Sequence, residues 1–235
     1  MQPPGCLLLF SFMPRTARIA PGGVIFHVLN RGVGKLQLFR SRKDHEAFQR
    51  CLCQTQQAVP MRVLAYCVMS THWHLVLWPR NDGDLARFMM RLSIRHVRRW
   101  LIHRNQVGTG HVYQGRYKSF AIQNDAHLST VCRYVERNPL RAGLVKSSIA
   151  WDWSSAGQSR LPADQQIALT ALPRGKRRDW VQWVDQPQTA KEETALKNCI
   201  ALGRPYGSDK WLDHFKSTLG WREPLKRGRP PNTPK

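Results

Sequence analysis

Val63-Leu64-Ala65-Tyr66-Cys67-Val68-Met69-Ser70-Thr71-His72-Trp73-His74-Leu75-Val76-Leu77 reads as a β-strand, a short turn at Ser70-Thr71 and a second strand. Side chains two apart on a strand share a face, so His72 and His74 project side by side. Paired imidazoles on a rigid strand make a platform for a divalent metal. A His-x-His by itself is more often half-buried packing, so a second feature has to carry weight. That feature is Tyr134-Val135-Glu136-Arg137-Asn138, in a segment of helical spacing that puts Tyr134 and Asn138 about one turn apart on one face. A tyrosine near a metal suggests a phenolate nucleophile.

Working outward, the hairpin extends to Met61–Met69 and His72–Trp78. Val24 to Asn30 reads as a strand that Asn30-Arg31-Gly32 ends, and Lys43 to Ala58 as a helix with Phe48, Leu52 and Thr55 along one side. Asp84 is the expected N-cap of a long helix running to about His103, and Tyr117 to Gln123 is a fourth strand. Asn124 or Asp125 caps a last helix that ends near Asn138, because Pro139 disfavours helical geometry at the residue before it. The order β-α-β-β-α-β-α predicts an α+β, ferredoxin-like βαββαβ core: an antiparallel sheet with helices on one face, followed by an added C-terminal helix.

Five stretches together resemble one family. They are Phe26-His27-Val28-Leu29-Asn30-Arg31-Gly32, the histidine pair, Gly110-His111-Val112-Tyr113-Gln114-Gly115-Arg116-Tyr117-Lys118-Ser119, the run Arg133 to Val145 around Tyr134, and the closing Trp153-Ser154-Ser155. In this order they resemble the REP-associated tyrosine transposases, single-tyrosine members of the HUH superfamily of single-strand DNA endonucleases, over about Met13 to Trp153. A departure is the bulky Trp73 between the histidines. The resemblance implies a metal-dependent single-strand endonuclease and strand transferase acting at hairpin DNA, the repetitive extragenic palindrome. It implies Tyr134 as the nucleophile of a 5′-phosphotyrosine intermediate, and His72, His74 and Asn138 as ligands of Mg²⁺ or Mn²⁺. A divalent ion there would offset charge developing on the phosphate, and Mn²⁺ accepts imidazole more readily than Mg²⁺ does. Tyr117 is the best rival nucleophile and lacks the Asn four residues on. His27 reads as structural, and His111 as DNA-facing or neutral.

Charge points the same way. Lys and Arg number 37 against 15 acidic residues, a formal charge of +22, which calls for a polyanionic partner. On the long helix Leu85, Phe88, Met89, Leu92 and His96 keep core spacing, with Arg87, Arg91, Arg95 and Arg98 roughly opposite and no acidic residue between Leu85 and His111. Such a stripe of unpaired arginines suits a phosphate backbone. Arg31, Arg116 and Lys118 are further expected DNA contacts, as are Arg227 and Arg229 of the Arg-Gly-Arg-Pro tail, which resembles minor-groove peptides.

Residues 1–12 look like an upstream-start extension, 13–157 like the catalytic domain, and 158–235 like a basic tail with helical pieces at Leu196–Leu202 and around Trp211, Phe215 and Leu219. The cysteines lack a Cys-x-x-Cys pair and read as reduced thiols. No apolar run is long enough to span a bilayer. The expectation is a cytoplasmic, nucleoid-associated, monomeric protein that binds single-stranded and hairpin DNA, with no membrane and no small-molecule substrate. A catalytically vestigial, hairpin-binding regulator of the same fold is the alternative.

Overall fold

The computed structural model describes residues 19–221. Strands β1 (Ile25–Arg31), β2 (Arg62–Val68), β3 (His72–Trp78) and β4 (Lys118–Ile122) form one antiparallel sheet in the order β2-β3-β1-β4. Helices α1 (Arg42–Ala58), α2 (Asp84–His103) and α3 (Ala126–Glu136) interleave with them in the expected order, so the core is the split βαβ arrangement.

Strand alternation divides the protein into two cores. Phe26, Val28, Val63, Trp73, Leu75 and Leu77 meet Phe48 and Leu52 of α1 and Leu85, Phe88, Met89 and Leu92 of α2. Ile25, Leu64, Cys67, Val76, Phe120 and Ile122 meet Leu128, Val131, Cys132 and Val135 of α3 on the other face. With both faces buried, β2 and β3 read as nearly continuous apolar runs. The two core helices share one face as expected, and α3 crosses the other.

Both sheet edges are closed, which removes unpaired backbone groups. Along β2, Val68 N–H donates to Trp153 O (2.8 Å) and Ser155 N–H to Tyr66 O (2.9 Å). Beside β4, Tyr206 N–H donates to Ala121 O (2.8 Å).

Local chemistry sets the helix ends. A capping box between Ser41 and Asp44 starts α1, and Asp125 caps α3 by accepting from His127 N–H (2.8 Å). The start of α2 differs from the sequence reading: Gly83, at φ 79°, is the N-cap, and Asp84 lies inside the first turn with its carboxylate turned back to Asn81 N–H (2.8 Å). Helix α3 ends at Glu136, and Asn138 opens a separate single turn, α4 (Asn138–Arg141), in which Pro139 sits in the tolerant first turn.

In the following segment α5 (Trp180–Asp185) and α6 (Ala190–Leu202) pack on the α3 face, while α7 (Asp209–Leu219) adds Phe215 to the core under α1 and α2. Helices α6 and α7 contain the helical pieces expected from spacing. The six-residue α5 has no sequence signature, because it is held by contacts outside itself. Trp180 and Val184 join the second core, and Trp180 Nε1–H donates to the buried Glu136 carboxylate (2.7 Å). Glu136 also accepts from Ser155 Oγ (2.7 Å) and Lys176 Nζ (3.3 Å). A fully buried carboxylate needs such partners. One member of the basic run Arg174–Arg178 is therefore a structural ion pair.

Candidate functional site

The sheet register assembles the site. Arg31 lies opposite His72, Leu29 opposite His74, and Lys118 opposite Leu29 on the far side of β1. Opposed residues share a face, so Arg31, His72, His74 and Lys118 stand on the α3 side of the sheet. Gly32 sets the turn ahead of the histidines: its N–H donates to Thr71 O (2.9 Å), and a Cβ there would sit 2.4 Å from Leu36 O. Only glycine allows that approach.

The two imidazoles are edge-to-face with centroids 5.1 Å apart, and the Tyr134 ring meets His74 edge-to-face at 5.9 Å. Asn138 hydrogen-bonds His72, donates from Nδ2 to Tyr134 O (3.3 Å), and accepts at Oδ1 from Arg141 Nη2 (3.0 Å). The same Nη2 lies 3.3 Å from Tyr134 Oη, and the guanidinium carbon is 4.6 Å from the ring centroid. His72, His74, Tyr134 and Asn138, named from sequence, thus converge.

Each histidine of the pair is engaged at Nδ1. Thr71 Oγ1 lies 3.1 Å from His72 Nδ1, and His27 Nε2 lies 2.9 Å from His74 Nδ1. Nε2 is then the atom each would turn toward a metal. Burial pushes His72 down to about 4; Arg141 and then Arg31 add to this, and the Asn138 hydrogen bond opposes it. Burial, then His27, His72 and Arg141, hold His74 well below the ordinary histidine value. Both imidazoles are therefore neutral at physiological pH, the form that binds a metal.

His27, read as structural from the sequence, stacks on His74 and bonds it. It is fully buried, and burial depresses it to about 3. His74 can offer Nε2 only in the tautomer whose Nδ1–H donates to His27 Nε2. His27 then carries its own proton on Nδ1, an atom with no partner among the described residues. This is how an outer residue fixes a ligand's tautomer and orientation. Among the described residues no group of three or more His, Cys, Asp or Glu side chains could hold a metal. The set here is two imidazoles and an amide, a donor mixture suited to a divalent ion that also takes oxygen ligands.

The other expected residues fall into three groups. Arg31 stands beside His72 with its Nε bonded to Gln114 Oε1. Lys118, on the same face, reaches Ile200 O (3.4 Å), while Arg116 and His111 are exposed. Arg87, Arg91, Arg95 and Arg98 are exposed on α2, whose buried side packs on the opposite face of the sheet, so the stripe looks away from the histidine pair. It is not wholly unpaired, as the sequence reading has it: Arg87 bridges to Asp84, and Arg95 Nη1 meets Gln54 Oε1 (3.3 Å). Arg227 and Arg229, like the first twelve residues, lie outside the described residues. The rival Tyr117 packs against the α1/α2 core, across the sheet from His72 and His74.

Residues 23–138 match the family model described as Transposase IS200 like. The REP-associated tyrosine transposase of Escherichia coli is 23% identical over 160 residues, covering 66% of this chain and 92% of that protein. A Haemophilus influenzae protein whose name, REP-associated tyrosine transposase, is itself provisional is 26% identical over 117 residues. That match covers 46% of this chain and 66% of the relative, just under two thirds of its length. A solved structure of a REP-associated tyrosine transposase bound to a REP hairpin superposes with a TM-score of 0.51 at 20% identity, over 69% of this chain and 96% of that one. At that identity the likeness is one of fold. Among the described residues no helix is long and apolar enough to cross a membrane.

Proposed function

We propose that this chain, whose residues 23–138 match the model described as Transposase IS200 like, nicks and rejoins single-stranded DNA at hairpin elements, with Tyr134 as nucleophile. The observation that carries this reading is Tyr134, packed on His74 and reached by Arg141, beside two neutral imidazoles and Asn138. His72, His74 and Asn138 would hold the metal. A bound Mg²⁺ or Mn²⁺ supplies Lewis-acid stabilisation of the charge that grows on the phosphate. His27 holds His74 in orientation, and Thr71 and Asn138 hold His72.

In the reaction the Tyr134 phenol loses its proton to solvent and Oη attacks phosphorus. The new P–Oη bond replaces the P–O3′ bond. The leaving 3′ oxygen keeps the electron pair and takes up a proton as a free hydroxyl, and the 5′ phosphate stays on Tyr134. The ester stores the bond, so attack by a 3′-hydroxyl reverses the step without ATP. The scissile strand has to be single to reach the site between β3 and α4.

The substrate proposed is a stem-loop with a single-stranded foot, the DNA class named for the hairpin complex of the structural neighbour. The test is incubation of such a hairpin, labelled at either end, with protein and Mn²⁺. One expects a DNA–protein adduct that survives denaturant, together with a strand ending in a free 3′-hydroxyl. Tight hairpin binding with no adduct under any divalent metal would leave the vestigial regulator as the correct reading.

A further inference from the structure

Resting on that reading, we infer that Arg141 is a further catalytic residue: its guanidinium grips the non-bridging oxygens of the scissile phosphate and presents the phosphorus to Tyr134 Oη. One nitrogen of Arg141 touches both the attacking hydroxyl (3.3 Å) and Asn138 Oδ1 (3.0 Å), so the cation already stands where the phosphate must arrive. The hydrogens of Nη2 are occupied by these two contacts. Those on Nη1 and Nε point in different directions and are left to donate singly to phosphate oxygens.

The residue is exposed at the mouth of the site, on the turn α4. Among the described residues no carboxylate lies within ion-pair distance of it. Glu193, whose charge it feels, is taken by Lys197 (2.8 Å). The positive charge of Arg141 is therefore exposed beside Tyr134 and Asn138, with no carboxylate bound to it among the described residues. A phenolate attacking a phosphate monoanion brings two negative groups together. A cation shared between them offsets that repulsion before attack and the charge on the equatorial oxygens during it. Its position three residues beyond Asn138 and seven beyond Tyr134 places it on the same side of the α3–α4 segment as both.

A purely structural clip would hold the Tyr134 ring with the same contacts, so the test must read the phosphate. Single-turnover cleavage of a saturating single strand would be measured for wild type, Arg141→Ala and Arg141→Lys. One substrate carries an ordinary phosphodiester at the mapped cleavage site, and the other a neutral methylphosphonate there, with its diastereomers separated. With the phosphodiester, Arg141→Ala should slow cleavage by about 100-fold or more, the size typical of removing a charge-stabilising donor, with Arg141→Lys between. With one methylphosphonate diastereomer the penalty should shrink to a few-fold, because the charge Arg141 meets is gone. Equal penalties on both substrates would overturn the assignment and leave Arg141 a clip. No adduct from wild type on the ordinary strand would bring down the nucleophile reading, and this inference with it. Wild-type cleavage with equal penalties brings down the arginine alone.

Discussion

The two faces of the sheet hold nearly the same parts and put them to opposite use. Facing α1 and α2, Trp73, Tyr113 and His96 form a closed set: Tyr113 Oη accepts from Trp73 Nε1–H (2.9 Å) and shares a hydrogen with His96 Nδ1 (2.6 Å). Facing α3, His74, Tyr134 and His27 gather a tyrosine with two imidazoles in place of an imidazole and an indole. Here the histidine pair stands beside Asn138, and the tyrosine hydroxyl meets an exposed cation. Burial drives the Tyr113 hydroxyl further from ionisation. The difference teaches that composition does not make a site. Trp73 and His74 are neighbours in sequence, and strand alternation alone sends one into the α1/α2 core and the other to the α3 side beside Tyr134.

The largest expected contrast is between the two tyrosines. Tyr134→Phe should abolish the DNA adduct while changing stability little, since only one long hydrogen bond to an exposed arginine is lost. Tyr113→Phe should keep the adduct and cost about 1–3 kcal/mol of stability, because it strands the Trp73 N–H and His96 in the core. Denaturant melts beside adduct gels check both. An adduct lost only in Tyr113→Phe would invert the comparison.

Next come the imidazoles. His72→Ala and His74→Ala should each cut cleavage strongly and weaken Mn²⁺ binding, with Asn138→Ala milder because water can replace an amide oxygen. His27→Phe should weaken Mn²⁺ by about 10–100-fold, the range for losing an outer-shell partner, without touching the metal directly. His96→Ala, on the other face, should lower the melting temperature and leave Mn²⁺ affinity unchanged. Calorimetry on the purified variants decides. Unaltered Mn²⁺ affinity in both His72→Ala and His74→Ala would remove the metal site.

A pH effect is common to both faces. Burial holds His27 and His96 at about 3 against an ordinary 6.5, and depresses His45 as well. Below 6.5 the unfolded chain takes up protons that the folded one refuses, so stability is full above that pH and falls steadily as pH drops toward 3. Urea melts between pH 7.5 and 4.5 should show the midpoint moving down. A flat midpoint would mean these histidines are not buried as described.

Much of the site is legible in the sequence because it is local. The period of two in the hairpin places His72 with His74, the helical spacing places Tyr134 near Asn138, and Leu85 to His96 mark the buried side of α2. What the sequence does not show depends on register or on distant contacts. His27 joins His74 only because β1 pairs with β3, forty-seven residues away. The arginine stripe is visible in the sequence, but which face of the sheet it flanks is not. Helix α5 exists through Trp180 and Glu136 rather than through any pattern of its own. Arg141 has a readable spacing to Tyr134, yet only its bonds to both site residues single it out among so many arginines.

The most direct test of the account is to locate the covalent bond in the unaltered protein. A single strand bearing the hairpin foot would be incubated with Mn²⁺, and with EDTA in parallel, and the adduct digested and sequenced by mass spectrometry. The account predicts a nucleotide on the peptide containing Tyr134 in the Mn²⁺ sample and none with EDTA. A nucleotide on Tyr117, or an adduct that forms equally well in EDTA, would contradict it.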